Sequence, residues 1–181
     1  ANDTYHVADI IVKEHKERAM VDGQIHNVIY VASLIAEIKQ TLEEKHGPLT
    51  KVSVAAAGRS LKTETATISV NIRNRAIFTE EDINRLELQA VQQAQQQLVQ
   101  QREDTKTSHY YCVGYSVLHY RLDNETIGSL LDQQGEEATV EVIATFLPRV
   151  VVESLIAALK RADLEMDALT LEPIAAINVL I

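Results

Sequence analysis

The last eleven residues of the chain, Leu171 to Ile181, read LEPIAAINVLI. An apolar run typical of a strand reaches Glu172 and Pro173, and a run of small and apolar residues typical of a helix follows. No Gly, Asn or basic residue ends that helix before the chain stops. The stretch therefore predicts that these residues are a piece of a longer protein.

The composition limits what this piece can be. Its 181 residues suffice for one large domain or two small ones. A net charge of −9 argues against contact with nucleic acid or an anionic membrane surface. No apolar run approaches the roughly 20 residues of a membrane span, and no stretch has the pattern of a signal peptide. The single cysteine, Cys112, lies in an apolar run that favours a packed thiol over a nucleophile. We expect a cytoplasmic protein.

The two ends of the chain have similar patterns. Before the final strand, residues 168–171, a helix is expected with Pro148 at its first position. At the beginning of the chain we expect a strand at residues 5–13, a helix with Asn27 as N-cap, and a short strand at residues 51–57. These outer parts are typical of a sheet covered by helices.

The middle of the chain, residues 61–147, has a different organisation. The stretch ETATISVNI, residues 64–72, alternates apolar and polar residues, as in a sheet with one solvated face. A capping box that begins at Thr79 opens a helix. Strands are expected at residues 108–122 and 138–147, with a polar loop between them.

The whole pattern predicts a mixed α/β fold made of two parts. Residues 1–60 and 148–181 form the first part, and residues 61–147 form an inserted βαββ unit. The alternation within the long strand at residues 108–122 changes phase near Val117 and Leu118, which indicates a bulge or bend.

The inserted unit also offers the best candidate for an interaction surface. Three strands with one covering helix leave one open sheet face and two edges, and an unpaired edge is a template for association. The alternative is that this face is simply solvated. The side chains expected on the surface are Thr65, Thr67, Ser69, Asn71, Arg73 and Arg75.

No catalytic or metal site is visible in the residues themselves. The six histidines are scattered without metal-ligand spacing, and no second cysteine supports them. Glycine-rich phosphate loops and the motifs of common hydrolases do not occur. Taken alone, the sequence describes a piece without metal ligands and without a recognisable active site.

Four stretches, in order along the chain, resemble the FtsA-like members of the actin-like ATPase superfamily. TLEPIAAINVL at residues 170–180 resembles the strand, Glu-Pro and helix of that superfamily. RAMVDGQIHN, KVSVAAAGRSL and IFTEEDINRL resemble the approach to the first FtsA helix, a later strand end, and a helix start in the FtsA insertion subdomain. In the stretch KRADLEMDALTLEP, which precedes the Glu-Pro, Asp163 stands where Gly is common in FtsA-like proteins. In KVSVAAAGRSL, Ala57 stands where Ser is common.

The resemblance implies a nucleotide site in the longer protein. In that family two glycine-containing phosphate loops hold ATP and Mg²⁺. This chain would begin after the first loop and end just before the second, so the piece itself is expected to bind no cofactor. Glu172 matches a glutamate near the Mg²⁺ and the attacking water in DnaK-type relatives. The alternative is that Glu172 ends a strand and stays solvated.

FtsA-like proteins form actin-like filaments and tether the FtsZ ring to the inner face of the membrane. The resemblance therefore implies contacts with other copies of the chain and with division proteins. The FtsZ site and the membrane helix would lie outside this chain. The alternatives are a PilM-type pilus-assembly ATPase, which binds a short peptide of its partner, and a DnaK-type chaperone or reactivating factor. A free-standing enzyme or a small ligand-binding βαββ domain is the least favoured.

Overall fold

The computed structural model describes residues 6–21, 24–56, 61–73, 77–100 and 109–172. The chain divides into two compact units, Ala1–Ser60 with Val150–Ile181, and Leu61–Arg149. That these units correspond to an actin-like first lobe and an FtsA-type insertion stays a prediction. Among the described helices, none has the length and hydrophobicity that a membrane span requires.

Eight strands and three helices occur in the described ranges. In chain order they are β1 (Met20–Val21), β2 (Gln24–Ile25), α1 (Val28–His46), β3 (Lys51–Ala56), β4 (Lys62–Asn71), α2 (Glu80–Gln100), β5 (Tyr110–Leu122), β6 (Glu125–Ile127), β7 (Glu137–Pro148), α3 (Arg149–Arg161) and β8 (Glu165–Leu171).

Helix α1 begins and ends where the sequence predicts. The Asn27 side chain accepts a hydrogen bond from the Tyr30 N–H at 3.0 Å, which satisfies one of the free donors of the first turn. Gly47 ends the helix at a φ of 82°, a left-handed conformation that glycine adopts without strain. Val31 and Ala32 are buried on the apolar side of the helix.

The first unit contains a parallel pair, β3 with β8, in which Ala56 lies opposite Leu171. β8 begins at Glu165, earlier than the predicted 168–171. The turn between α3 and β8 is a Schellman motif, because the Leu164 N–H bonds to the Leu159 carbonyl and the Asp163 N–H bonds to the Lys160 carbonyl. Asp163 has a φ of 53°, in the left-handed region that glycine adopts without strain.

The predicted strand at residues 5–13 is wrong for residues 6–13, which belong to no strand. The β-branched residues predict an extended chain, but a strand also needs a partner for its backbone. The described residues supply none here, and the segment instead follows α1. The predicted helix after Pro173 lies outside the described residues.

The second unit is a four-stranded antiparallel sheet in the order β4-β7-β5-β6, with α2 on one face. The prediction of a three-stranded βαββ unit is therefore wrong by one strand. Asp123 and Asn124 have positive φ and turn β5 back into the short strand β6, inside the predicted loop. Pro148 ends β7, and α3 begins one residue later.

The core of this unit lies between α2 and the sheet. The predicted capping box is present, since the Asp82 carboxylate accepts hydrogen bonds from the N–H and hydroxyl of Thr79, and the Thr79 hydroxyl accepts one from the Asp82 N–H. The fully buried members of β7 are Ala138, Val140, Val142, Ala144, Phe146 and Leu147.

Cys112 is exposed, so the prediction of a packed thiol is wrong. It lies at the end of β5 that β6 does not cover.

Candidate interaction surface

The open face of the four-stranded sheet is the surface opposite α2. Along β4 the residues alternate strictly between exposed and at least half-buried. The predicted face residues Thr65, Thr67, Ser69 and Asn71 are all exposed, as the alternation predicts. Their intervening neighbours pack into the core under α2. That this face binds another protein stays a prediction.

The register identifies the neighbours of these residues on the same face. Thr67 lies opposite Glu141 on β7, and Glu141 lies opposite His119 on β5. In the row on one side of this pair, Ser69 lies opposite Thr139, and in the row on the other side, Thr65 lies opposite Ile143. The surface is therefore built of small hydroxyl side chains around a few charged or ionisable groups. Its other members on β5 and β7 are Gly114, Ser116, Arg121, Glu137 and Thr145.

Some of its polar groups are already engaged within the chain. The hydroxyls of Ser69 and Thr139 are 2.7 Å apart and share a hydrogen bond across the strands. Arg73 pairs with Glu136 at 2.5 Å, and its N–H donates to the Asn71 side chain. Both members of the ion pair are exposed, so the pair contributes little to stability, roughly 0 to 1 kcal/mol. Arg75 lies outside the described residues.

One edge of this sheet is long and regular. β4 has ten residues and pairs with β7 residue by residue along its length. Within the described ranges no strand pairs with the other side of β4. Residues 65–71 contain no charge, Pro or Gly, which are the usual devices against unwanted strand addition. This edge can accept an extended segment through its backbone groups.

The covered face holds a polar cluster that the sequence analysis missed. Glu87 on α2 is buried, and its carboxylate accepts hydrogen bonds from the hydroxyls of Tyr115 at 2.8 Å and Tyr120 at 2.5 Å. Hydrogen bonding to Glu87 raises the pKa of Tyr115. Burial, followed by the bond to Glu87, raises the pKa of Tyr120 to about 12.

A bulge brings the two tyrosines together. Residues five apart on a regular strand point to opposite faces. The register of β5 shifts between Val117 and His119, so the predicted bulge is confirmed, with Leu118 as the extra residue. Tyr115 and Tyr120 consequently lie opposite Ala144 and Val140, both on the covered face.

The position of Glu87 in the sequence indicates that its side chain is buried. It falls four residues after Ile83 and three before Ala90, on the same side of the helix as these core residues. An acidic residue within an apolar stripe predicts a buried partner, although the sequence does not say which donor supplies it.

Glu172 lies directly after β8 and is exposed. In the described ranges no side chain bonds or pairs with it, so its catalytic role stays a prediction. The sequence contains no glycine-rich phosphate loop, and the expectation that the piece by itself binds no cofactor stays a prediction. The described His, Cys, Asp and Glu residues form no group of three that could hold a metal ion.

No family model and no curated protein matches the sequence. Among solved structures, the chain is similar to one from a complex described as "PilM-PilN type IV pilus biogenesis complex", with a TM-score of 0.55 and 18% sequence identity. The match covers 93% of this chain and 41% of the other, so this chain spans less than half of that protein's length.

This likeness shows the fold that the two chains share, and the mixed α/β class predicted from the sequence is confirmed. An identity of 18% does not distinguish an FtsA-type protein from a PilM-type protein.

Proposed function

We propose that this chain is the contact-making part of an actin-like ATPase that assembles with other proteins, and that it is of the PilM type. The observation that carries the proposal is the structural match over 93% of the chain to a protein solved in complex with PilN. In the longer protein, ATP and Mg²⁺ would bind where the missing phosphate loops meet Glu172. The protein would work in the cytoplasm, peripheral to the inner face of the membrane.

The open sheet face and the free edge of β4 are the proposed contact surface for a PilN-type partner. Backbone groups at an edge give affinity to any extended segment, and the side chains of the face give selectivity. Small hydroxyls such as Thr65 and Thr67 let a partner backbone approach closely. Glu141 and His119 supply the polar groups that orient it.

An FtsA-type function is the second candidate, and the sequence favours it at one place. The IFTEEDINRL stretch resembles the helix start of the FtsA insertion subdomain, and its capping box forms as predicted. In that case the same face would contact further copies in a filament and other division proteins. FtsZ and the membrane would be bound by parts outside this chain.

The test mixes the purified chain with the PilN-type protein encoded in the same genome and measures binding by calorimetry. Cross-linking then maps the contact. We expect Thr65→Lys to weaken binding on the order of tenfold, because an added charge must be desolvated at the contact. Gln96→Lys, an exposed change on α2, is the matched control and should bind like the parent sequence.

Two results would count against the proposal. Equal binding by both lysine variants would remove the sheet face from the contact. Absence of PilN binding, together with self-association that Thr65→Lys abolishes, would favour the FtsA-type function instead.

A further inference from the structure

The N-terminal segment, residues 6–16, lies along helix α1 in the opposite direction. Asp9 contacts the end of the helix, where its carboxylate pairs with Lys45 at 3.0 Å and lies 3.3 Å from the His46 ring. The bond from Lys45, followed by that from His46, lowers the pKa of Asp9. Lys13 pairs with Glu37 in the middle of α1 at 3.1 Å.

The contacts of Asp9 and Lys13 tether the segment to α1, and a third tether lies near the start of the helix, where the Lys16 N–H donates to the Tyr30 hydroxyl at 2.7 Å. The spacing of the tethers shows that the segment is extended. From Asp9 to Lys13 an extended chain advances about 13 Å, at roughly 3.3 Å per residue. From Lys45 back to Glu37 a helix advances about 12 Å, at 1.5 Å per residue. The two lengths match, as they do between the second and third tethers.

The side chains of Ile10 and Val12 lie on the face of the segment that is directed away from α1. Val7, Ile10 and Val12 are 78%, 75% and 80% exposed. Three large β-branched side chains with this exposure, so close together in sequence, form an apolar patch that a stable surface normally covers. Ile11 lies between Ile10 and Val12 and is half-buried, which agrees with strand-like alternation.

The backbone of the segment is also without a partner strand. Among the described residues, the one hydrogen bond made by the backbone of residues 7–13 is local, from the Ile10 N–H to the Asp9 side chain at 2.8 Å. A β-branched, extended run with open backbone groups has the properties of an edge strand.

We propose that two copies of this chain pair through residues 7–13, as antiparallel strands related by a two-fold axis at Ile11. The sequence is self-complementary in this register. Asp9 of one copy lies opposite Lys13 of the other, twice, and Ile10 lies opposite Val12, twice. Opposite charges and β-branched pairs facing each other across strands are both stabilising.

A shift by one residue removes this complementarity. With the axis between Ile10 and Ile11, Asp9 would face Val12 and Lys13 would face Ala8, so no charge would meet its opposite. The two-fold axis at Ile11 places both α1 helices on one face of the paired strands and joins Ile10 and Val12 of both copies on the other. The contact is isologous and closes on itself, so it yields a dimer and not a fibre.

The pairing is expected to be weak, since a two-stranded ribbon of this length is marginal in water. Cysteine cross-linking captures a weak contact of defined register. In a Cys112→Ser background, which removes the single cysteine of the chain, Ile11→Cys places the thiol opposite its own copy. The Cα atoms would then be about 4.5 to 5.5 Å apart, within the range of a disulfide.

We expect Ile11→Cys to form a covalent dimer under mild oxidation. Ala8→Cys is the control, because this exposed residue would lie six positions, roughly 20 Å, from its own copy. In the same register Ala8 faces Glu14, which is also exposed. An equimolar mixture of Ala8→Cys and Glu14→Cys should therefore cross-link, whereas neither variant should do so alone.

The mixture keeps the test valid even if Ile11→Cys, a half-buried change, fails to fold. Sedimentation of the unmodified chain should show reversible dimers as the concentration rises. A monomer at all concentrations with no specific cross-link would overturn the proposal, and so would equal cross-linking of Ala8→Cys alone. None of these results depends on PilN binding, so the proposed function is tested separately.

Discussion

At the scale of single residues, the buried carboxylate of Glu87 is the clearest case of a polar group that needs hydrogen-bond donors from its neighbours. An ionisable group under a helix destabilises the fold unless it is hydrogen-bonded. The hydroxyls of Tyr115 and Tyr120 supply two donors, and the bulge at Leu118 directs both of them to the helix. The cluster therefore fixes how α2 sits on the sheet.

We predict that Tyr120→Phe lowers the free energy of unfolding by about 1 to 3 kcal/mol at neutral pH, because a buried acceptor loses a donor. The raised pKa also makes this contribution depend on pH. It is fully present below pH 10, the ordinary value, and is lost as the pH rises through about 12, where folded Tyr120 ionises.

Urea unfolding of both proteins across this range tests the prediction. The difference between the parent sequence and Tyr120→Phe should shrink above pH 10. Tyr111→Phe, a change at an exposed tyrosine of the same strand, is the control and should leave the free energy of unfolding close to that of the parent sequence. A constant difference at all pH values would show that the bond to Glu87 is not what stabilises Tyr120.

At the scale of elements, local signals set the helix boundaries, whereas partners set the strands. Asn27, Gly47 and the Thr79 capping box act through hydrogen bonds and dihedral angles within a few residues. Strand β6 and the N-terminal segment depend on what lies beside them. For this reason the predicted helices lie close to the observed ones, while the short strands β1, β2 and β6 were missed and the strand at residues 5–13 was wrongly predicted.

We predict that Thr79→Ala destabilises the second unit by about 1 kcal/mol, because the first turn of α2 loses its side-chain cap. Thr79→Ser keeps the hydroxyl and should restore most of the stability. Thermal or urea unfolding followed by circular dichroism measures both variants. Equal destabilisation by Ala and Ser would show that the methyl group of Thr79, and not its hydroxyl, carries the effect.

At the scale of the whole molecule, the two units have different chemistry. The second unit presents a hydroxyl-rich sheet face and a free edge, which suit contact with a protein. The first unit has a parallel strand pair, β3 with β8, followed by Glu172. The match covers 41% of the similar chain from the PilM-PilN complex, so a nucleotide site in the longer protein stays a proposal.

We predict that the chain as given does not bind Mg-ATP. Phosphate binding of this kind needs the backbone N–H groups of glycine-rich turns and a carboxylate-held Mg²⁺, and the sequence contains no such turn. Calorimetric titration with Mg-ATP should show no heat of binding. Micromolar binding would contradict the prediction and would require a phosphate site built from other residues.

The sequence by itself determined the features that depend on near neighbours. The alternation of residues 64–72 predicted which side chains of β4 are exposed, and the phase change near Leu118 predicted the bulge. Periodicity and capping fix such features because side-chain direction and cap geometry repeat over two to four residues.

Only the tertiary structure decided which groups meet across the fold. Glu87 contacts two tyrosines about thirty positions away, and the strand-like residues 6–13 lie on α1 instead of in a sheet. Pairings of this kind depend on distant segments and on the register between strands, and a local sequence pattern determines neither of them. A β-branched run predicts an extended chain, but whether it becomes a strand depends on another backbone lying beside it.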